Sequence, residues 1–181
     1  VPALMQRYPG LLRLDLLQAR LQLAAGDRPA ALAILNRLTE AGDDPGVAIE
    51  ARKLLAGILM DQGDVAAAKR HIAVVLAQRP SDADALIARA ALTLAAGDTE
   101  AAIRDAEAAL AARPEAVKAI ELLARAFVRS GDRAAAIDRL ERICAAALSA
   151  EDVQQIRQLF EARGLEEVNC TPFETSENQL P

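Results

Sequence analysis

An all-α fold, built as an array of helix–turn–helix repeats, is predicted by three features of the sequence. A Gly-Asp pair recurs at a nearly constant interval, beginning at Gly26, Gly63, Gly97 and Gly131. An alanine stands at one fixed distance before each of these glycines, and another alanine stands at one fixed distance after each. The composition is rich in alanine and leucine, which favours helix, and includes only three phenylalanines, one tyrosine and no tryptophan. A period of about 34 residues, with small residues on both sides of a turn, is typical of stacked helical repeats.

Each Gly-Asp pair is predicted to end one helix and begin the next. Glycine enters the left-handed conformation that commonly ends a helix, because it has no Cβ to clash. The following aspartate can accept the free backbone N–H groups at the start of the next helix. The alanines that flank the turns are expected to let paired helices approach closely; they are Ala19, Ala56, Ala90 and Ala124 before the turn and Ala31, Ala68, Ala102 and Ala136 after it.

This arrangement resembles the tetratricopeptide repeat, a helix–turn–helix unit, in the alanine-rich form typical of bacterial arrays. Small residues flank the turn in that family as Ala90 and Ala102 do here, and a proline closes the second helix as Pro80 and Pro114 do. The resemblance implies a right-handed superhelical array. It also implies a concave face, lined by the first helix of each repeat, that holds a partner peptide.

The repeat period divides the chain into segments. Residues 1–9 are predicted to end a helix of an upstream repeat, because Pro9 precedes Gly26 by the same offset that separates Pro80 from Gly97. Four repeats follow, predicted over residues 10–45, 46–80, 81–114 and 115–148, and the first of them ends in a loop over residues 41–46. A polar-faced capping helix is predicted over residues 149–163, with Gly164 ending it. Residues 164–181 form a polar tail, whose Phe173 is a candidate to dock on an apolar strip of this or a neighbouring molecule.

Several classes of function are disfavoured by composition and motifs. A net charge of −5 argues against nucleic acid as the ligand, and no apolar run reaches the ~18 residues of a membrane span. No catalytic or nucleotide-binding motif is present, so the chain is predicted to be neither an enzyme nor a metal or cofactor carrier.

His71 is expected to face solvent, and Cys144 to be a buried apolar side chain. The sequence does not distinguish between the bacterial cytoplasm and the periplasm as the compartment of the protein, since the chain starts at Val1 and a targeting segment would be missing.

The predicted binding residues come from the first helices, taken by their offset from each turn glycine. They are Arg13, Leu16, Arg20, Lys53, Met60, Ile87, Leu94, Lys118, Glu121, Arg125, Val128 and Arg129. Their charged members either contact a ligand or form a solvated face, and the apolar ones either line a groove or belong to the core between repeats. Lys118, Arg125 and Arg129 together predict an acidic segment in the ligand.

The function predicted from these features is a non-enzymatic scaffold that binds a peptide or protein segment. The alanine-rich style is similar to bacterial repeat proteins of envelope assembly or polysaccharide export. Two alternatives stay open: the docking module of a larger enzyme, and a self-assembling structural oligomer. A chaperone-tail clamp of the kind found in one subclass of the family is not expected, because the first helices carry no asparagine.

Overall fold

The structure is a computed structural model that describes residues 10–40, 44–145, 150–165 and 168. Within these residues the chain is helical and contains no strand, which confirms the all-α prediction. The chain divides into two compact units, Val1–Pro80 and Ser81–Pro181. The predicted end of an upstream helix before Gly10 and the docking of Phe173 both lie outside the described residues.

The first unit contains four described helices, in which each helix packs on the next. They are α1 (Gly10–Ala24), α2 (Arg28–Glu40), α3 (Pro45–Asp61) and α4 (Val65–Gln78). The core joins Leu12 and Leu16 of α1 to Leu35 of α2 and Leu55 of α3. The first helices α1 and α3 also contact each other, so a surface formed by first helices exists in this unit.

The second unit contains five described helices. They are α5 (Ala83–Ala95), α6 (Thr99–Ala112), α7 (Val117–Ser130), α8 (Arg133–Ala145) and α9 (Ala150–Glu161). Consecutive helices from α5 to α8 pack together, and α9 packs on α7. Val153, Ile156 and Phe160 of α9 are buried while Gln154 and Arg157 are exposed, so α9 has the apolar inner face and polar outer face of a capping helix.

The four predicted turns have the expected backbone geometry. Gly26, Gly63, Gly97 and Gly131 all have positive φ, between 77° and 93°. Asp64 and Asp98 accept hydrogen bonds from the N–H groups of Ala67 and Ala101, each at 3.0 Å, and Asp27 accepts one from Ala30 at 3.1 Å. The left-handed glycine is therefore confirmed at all four turns, and the capping aspartate at these three.

The flanking alanines are buried in the helix pairs. All eight are at most 2% exposed, and Ala19, Ala31, Ala68, Ala90 and Ala124 are 0% exposed. A larger side chain at any of them would have to displace neighbouring atoms, because protein interiors are close-packed. The recurring small residues are thus explained by packing between helices.

Two boundaries differ from the predicted ones by one or two residues. The loop was expected to run through Gly46, but α3 begins at Pro45, because proline is well suited to the first turn and Asp44 caps the N–H groups of Gly46 and Val47. The capping helix ends at Glu161 instead of residue 163. Gly164 nevertheless has the expected positive φ, 68°, and Leu165 and Val168 beyond it are buried.

Candidate ligand cleft on the first helices

A cleft of about 450 Å³ lies between α1 and α3 in the first unit. Three predicted binding residues, Arg13, Leu16 and Arg20, line it together. The i, i+3, i+7 spacing of these residues places them on one side of α1. The other lining residues are Leu17, Asp44, Gly46, Val47, Glu50 and Arg79.

Glu50 is the centre of the charge arrangement in this cleft. Its carboxylate lies 2.9 Å from Lys53 Nζ, 3.4 Å from Arg20 Nη2 and 3.9 Å from Arg79 Nη1. One carboxylate is therefore shared by three cations. Asp44, the other acid in the lining, is engaged in accepting N–H groups of α3.

Arg13 adds a further positive charge that no described residue neutralises. Its side chain is exposed at the cleft and forms no hydrogen bond or ion pair with any described residue. Cations thus outnumber anions at this site, although the chain as a whole carries a net charge of −5. The exposed side chain of Leu17 lies beside these charges, and the lining residues Leu16 and Val47 are largely buried in the core.

The position of Arg13 is occupied in the second and third repeats by an acid that forms a recurring ion pair. Glu50 and Asp84 stand at this offset before their turn glycines, and Arg79 and Arg113 stand directly before the closing prolines of the same repeats. Arg79 lies 3.9 Å from Glu50, and Arg113 lies 2.6 Å from Asp84. The first and fourth repeats instead carry the cations Arg13 and Lys118 at this offset, and neither repeat has an arginine at the position of Arg79.

The first-helix surface of the second unit also has an excess of positive charge. Lys118 and Arg125 of α7 are exposed and have no hydrogen-bond or ion-pair partner among the described residues. Glu121, the acid of the predicted binding set on the same helix, is paired with Arg163 at 3.1 Å. Its charge is therefore already compensated from within the protein.

Arg129 has a structural contact that the sequence did not predict. Its Nη1 donates a hydrogen bond to the carbonyl oxygen of Leu94 at 2.9 Å. Leu94 itself is only 3% exposed, so its side chain belongs to the core. Arg129 is an exposed residue, but its guanidinium already has this partner within the protein.

The remaining predicted binding residues differ in accessibility. Val128 is 48% exposed and borders a second cavity, of about 200 Å³, with Phe127, Arg163 and Leu165. Lys53, Met60 and Ile87 are partly buried.

Arg79 lines the cleft but was not predicted from the sequence. An arginine directly before the closing proline, at both Pro80 and Pro114, was a signal that could have identified it.

His71 lies on α4, away from the cleft lining, and is not fully exposed to solvent as expected. The ring is partly buried, and its Nδ1 is inaccessible and has no hydrogen-bond partner among the described residues. Burial lowers the pKa of His71, and the positive charges of Arg52 and Arg70 lower the pKa further.

The side chains of Cys144 and Cys170 lie outside the described residues.

Neither a metal centre nor a membrane-spanning helix is found in the described part of the chain. Its His, Cys, Asp and Glu side chains form no group of three that could hold a metal ion. No helix there combines the length and the apolarity that crossing a bilayer requires.

Comparisons with known proteins agree with the repeat architecture seen in the structure. Family profiles described as Tetratricopeptide repeat match residues 16–83, 53–116 and 93–160. A solved structure titled "Crystal structure of MamA protein" superimposes with a TM-score of 0.60 and 16% sequence identity, covering 86% of this chain and 84% of that one. No curated protein matches the sequence.

The helix pairs, the glycine turns and the buried alanines define a helical repeat protein, a class of scaffold for protein interaction. The chain belongs to the tetratricopeptide repeat family. Members of this family are typically non-catalytic and bind other proteins.

Proposed function

We propose that this chain binds an acidic, partly apolar segment of a protein partner on the first helices of its repeats. The observation that carries the proposal is the charge arrangement of the α1–α3 cleft. Arg13 has no partner there among the described residues, and the Glu50 carboxylate is already ion-paired with three cations, from Arg20, Lys53 and Arg79. An incoming carboxylate would satisfy Arg13 without displacing one of these ion pairs. Leu17, which is 52% exposed, supplies apolar contact beside it, whereas Leu16 and Val47 line the cleft but are nearly buried.

The second unit supports the same chemistry independently. Lys118 and Arg125 present two cations on α7 that no described residue pairs, and Glu121 is occupied by Arg163. An acidic segment would be attracted to either surface, because exposed cations on a surface steer oppositely charged partners. The apolar members of the predicted set that stay partly or fully accessible would offer contact beside these charges; they are Met60, Ile87 and Val128.

The proposal is tested with a labelled synthetic peptide in which glutamates alternate with leucines. A second peptide, with lysine in place of every glutamate, is the matched control. We expect the acidic peptide to raise fluorescence anisotropy on titration with the protein, and this binding to weaken as salt is added, because exposed charges are screened. Equal binding of both peptides, or binding of the acidic peptide that is insensitive to salt, would contradict the proposal.

A further inference from the structure

The cavity of about 200 Å³ in the second unit lies where α7 ends and α8 begins. Its walls come from these two helices, the turn between them and the segment that follows α9; they are Phe127, Val128, Gly131, Ala136, Arg163 and Leu165. We call this space the turn cavity. Phe127, Ala136 and Leu165 are at most 5% exposed, while Val128 and Arg163 are exposed. The turn cavity therefore has an apolar interior and opens at the surface.

The corresponding space at the preceding turn of this unit is filled by the side chain of Arg129. Its Nη1 donates to the carbonyl oxygen of Leu94 at 2.9 Å, and its Nη2 lies 3.9 Å from the position of a Cβ on Gly97. Leu94 stands three residues before Gly97, as Val128 stands three residues before Gly131. The guanidinium of Arg129 thus occupies, beside the Gly97 turn, the place that the turn cavity has beside the Gly131 turn.

A side chain that could fill the turn cavity in the same way is missing from α9 and its turn. Helix α9 packs on α7 as α7 packs on α5, and Gly164 after it is left-handed like Gly131 after α7. Ala162 stands two residues before Gly164, at the offset that Arg129 has from Gly131. Alanine is too short to reach the preceding turn, and no described atom lies within 4 Å of the position of a Cβ on Gly131.

Two unpaired cations lie beside the turn cavity on α7. Arg125 and Lys118 stand three and ten residues before Val128, a spacing that places all three on one side of the helix. Neither cation has a hydrogen-bond or ion-pair partner in the described part of the chain. At the rise of an α-helix they lie about 4.5 Å and about 15 Å from Val128 along the axis. Carboxylates on a ligand at similar distances from its apolar residue would therefore meet them.

The volume and charges of the turn cavity favour one apolar side chain of an acidic segment. An apolar cavity of about 150 Å³ holds a benzene molecule, so the turn cavity has room for one leucine-sized side chain. Arg163 at the rim is paired with Glu121 at 3.1 Å, so it leaves the acid unavailable to a cationic ligand. In an extended segment alternate residues face one side and lie about 7 Å apart. Acidic residues two and four positions from the apolar one thus match Arg125 and Lys118.

We propose that the turn cavity receives one leucine-sized side chain of an extended partner segment, whose acidic residues pair with Arg125 and Lys118. This assignment rests on the proposed function and adds to it the residue that anchors the segment on the second unit. The ligand is identified by its chemistry: an aliphatic residue with acidic residues two and four positions away.

NMR titration of the ¹⁵N-labelled full chain measures the two candidate surfaces separately. The amide signal of Gly131 reports the turn cavity, and that of Gly46 reports the α1–α3 cleft. The first peptide has a central leucine, glutamates two and four positions away on both sides, and serines between them. Alanine replaces the leucine in the matched peptide. We expect saturable shifts of Gly131 with the leucine peptide and roughly tenfold weaker binding there with the alanine peptide, because a buried leucine contributes at least that factor.

Ala162→Arg separates the turn cavity from the charges beside it. The new arginine stands at the offset of Arg129, so it should fill the turn cavity while adding a positive charge. We expect it to weaken binding of the leucine peptide at Gly131 roughly tenfold and to leave the response of Gly46 unchanged. Ala108→Arg adds the same charge at an exposed position of α6 and should not weaken binding.

Failure of this assignment is distinguishable from failure of the proposed function. Equal affinity of the two peptides at Gly131, or unchanged or tighter binding in Ala162→Arg, would show that no side chain enters the turn cavity. A response of Gly46 without one of Gly131 would also overturn the assignment but leave the proposed function intact. No response at either glycine would contradict the proposed function itself. Shifts of Gly131 that follow protein concentration without peptide, with a dimer in light scattering, would assign the turn cavity to a second copy.

Discussion

Arg129 of α7 donates a hydrogen bond to the carbonyl oxygen of Leu94, near the end of α5, at 2.9 Å. The last carbonyls of a helix have no intrahelical partner, and an arginine at that end also suits the negative end of the helix dipole. The backbone N–H of Gly97 donates to the same carbonyl at 3.1 Å. Arg129 therefore ties two first helices of the second unit together.

Arg129→Glu should destabilise the protein, whereas Arg125→Glu should not. Losing a charged hydrogen bond costs about 1.5–3 kcal/mol, and the new carboxylate would face a carbonyl at the end of a helix. Arg125 is exposed and has no partner among the described residues, so its reversal should change the free energy of unfolding by about 0.5 kcal/mol or less. Urea denaturation of both variants measures the difference, and equal midpoints would show that the Leu94 contact contributes nothing.

Ala102→Leu should destabilise the second unit through overpacking. Ala102 is 1% exposed on α6, and α6 packs on both α5 and α7, so the added methyl groups have no free space. The expected loss is roughly 1–3 kcal/mol in the free energy of unfolding. Ala108→Leu, at an exposed position of the same helix, is the control. A melting temperature of Ala102→Leu equal to that of the control would show that the assigned packing is wrong.

Gly97→Ala and Gly57→Ala should have effects of opposite sign. Gly97 has φ +93°, where alanine costs on the order of 1–2 kcal/mol. Gly57 lies inside α3 with nothing within 4 Å of an added Cβ, so alanine there should stabilise by about 0.4–1 kcal/mol. Thermal unfolding of the two variants separates these effects. Stabilisation by Gly97→Ala would contradict the left-handed turn.

Stability should decrease when the pH falls below the ordinary histidine pKa of 6.5, in part because of His71. Its pKa is lowered in the folded protein by burial and then by Arg52 and Arg70, so the unfolded chain takes up the proton more readily than the folded one. The stabilising contribution of the neutral ring is thus complete above the ordinary pKa and is lost as pH falls through the folded pKa. Urea midpoints across this range should depend less on pH in His71→Gln, and identical profiles would contradict the assignment.

Much of the fold could be predicted because short-range chemistry determines it. A glycine with positive φ and a capping aspartate act within one turn of helix, so Gly63-Asp64 and Gly97-Asp98 identify a turn without any knowledge of the neighbouring helices. Buried alanines at fixed distances from these turns identify the packed face in the same way.

The candidate site was harder to predict because its charges are set by contacts distant in sequence. Arg129 and Leu94 are 35 positions apart, and Glu121 and Arg163 are 42 apart. An offset rule shows which helix face a residue occupies, but it does not show whether a partner from another helix is already bound there. The prediction of envelope assembly or polysaccharide export stays a prediction for the same reason, since no residue contact specifies a pathway.

The most direct test of the account is the affinity of the glutamate–leucine peptide for Arg13→Glu, compared with Arg70→Glu. Both substitutions change the net charge equally, but Arg13 lines the cleft and Arg70 is exposed on the second helix α4. We expect Arg13→Glu to weaken binding about tenfold, equivalent to about 1.4 kcal/mol, and to reduce its salt dependence, while Arg70→Glu changes affinity less than about twofold. Equal losses of affinity in the two variants would mean that only the overall charge matters and that the cleft is not the binding site.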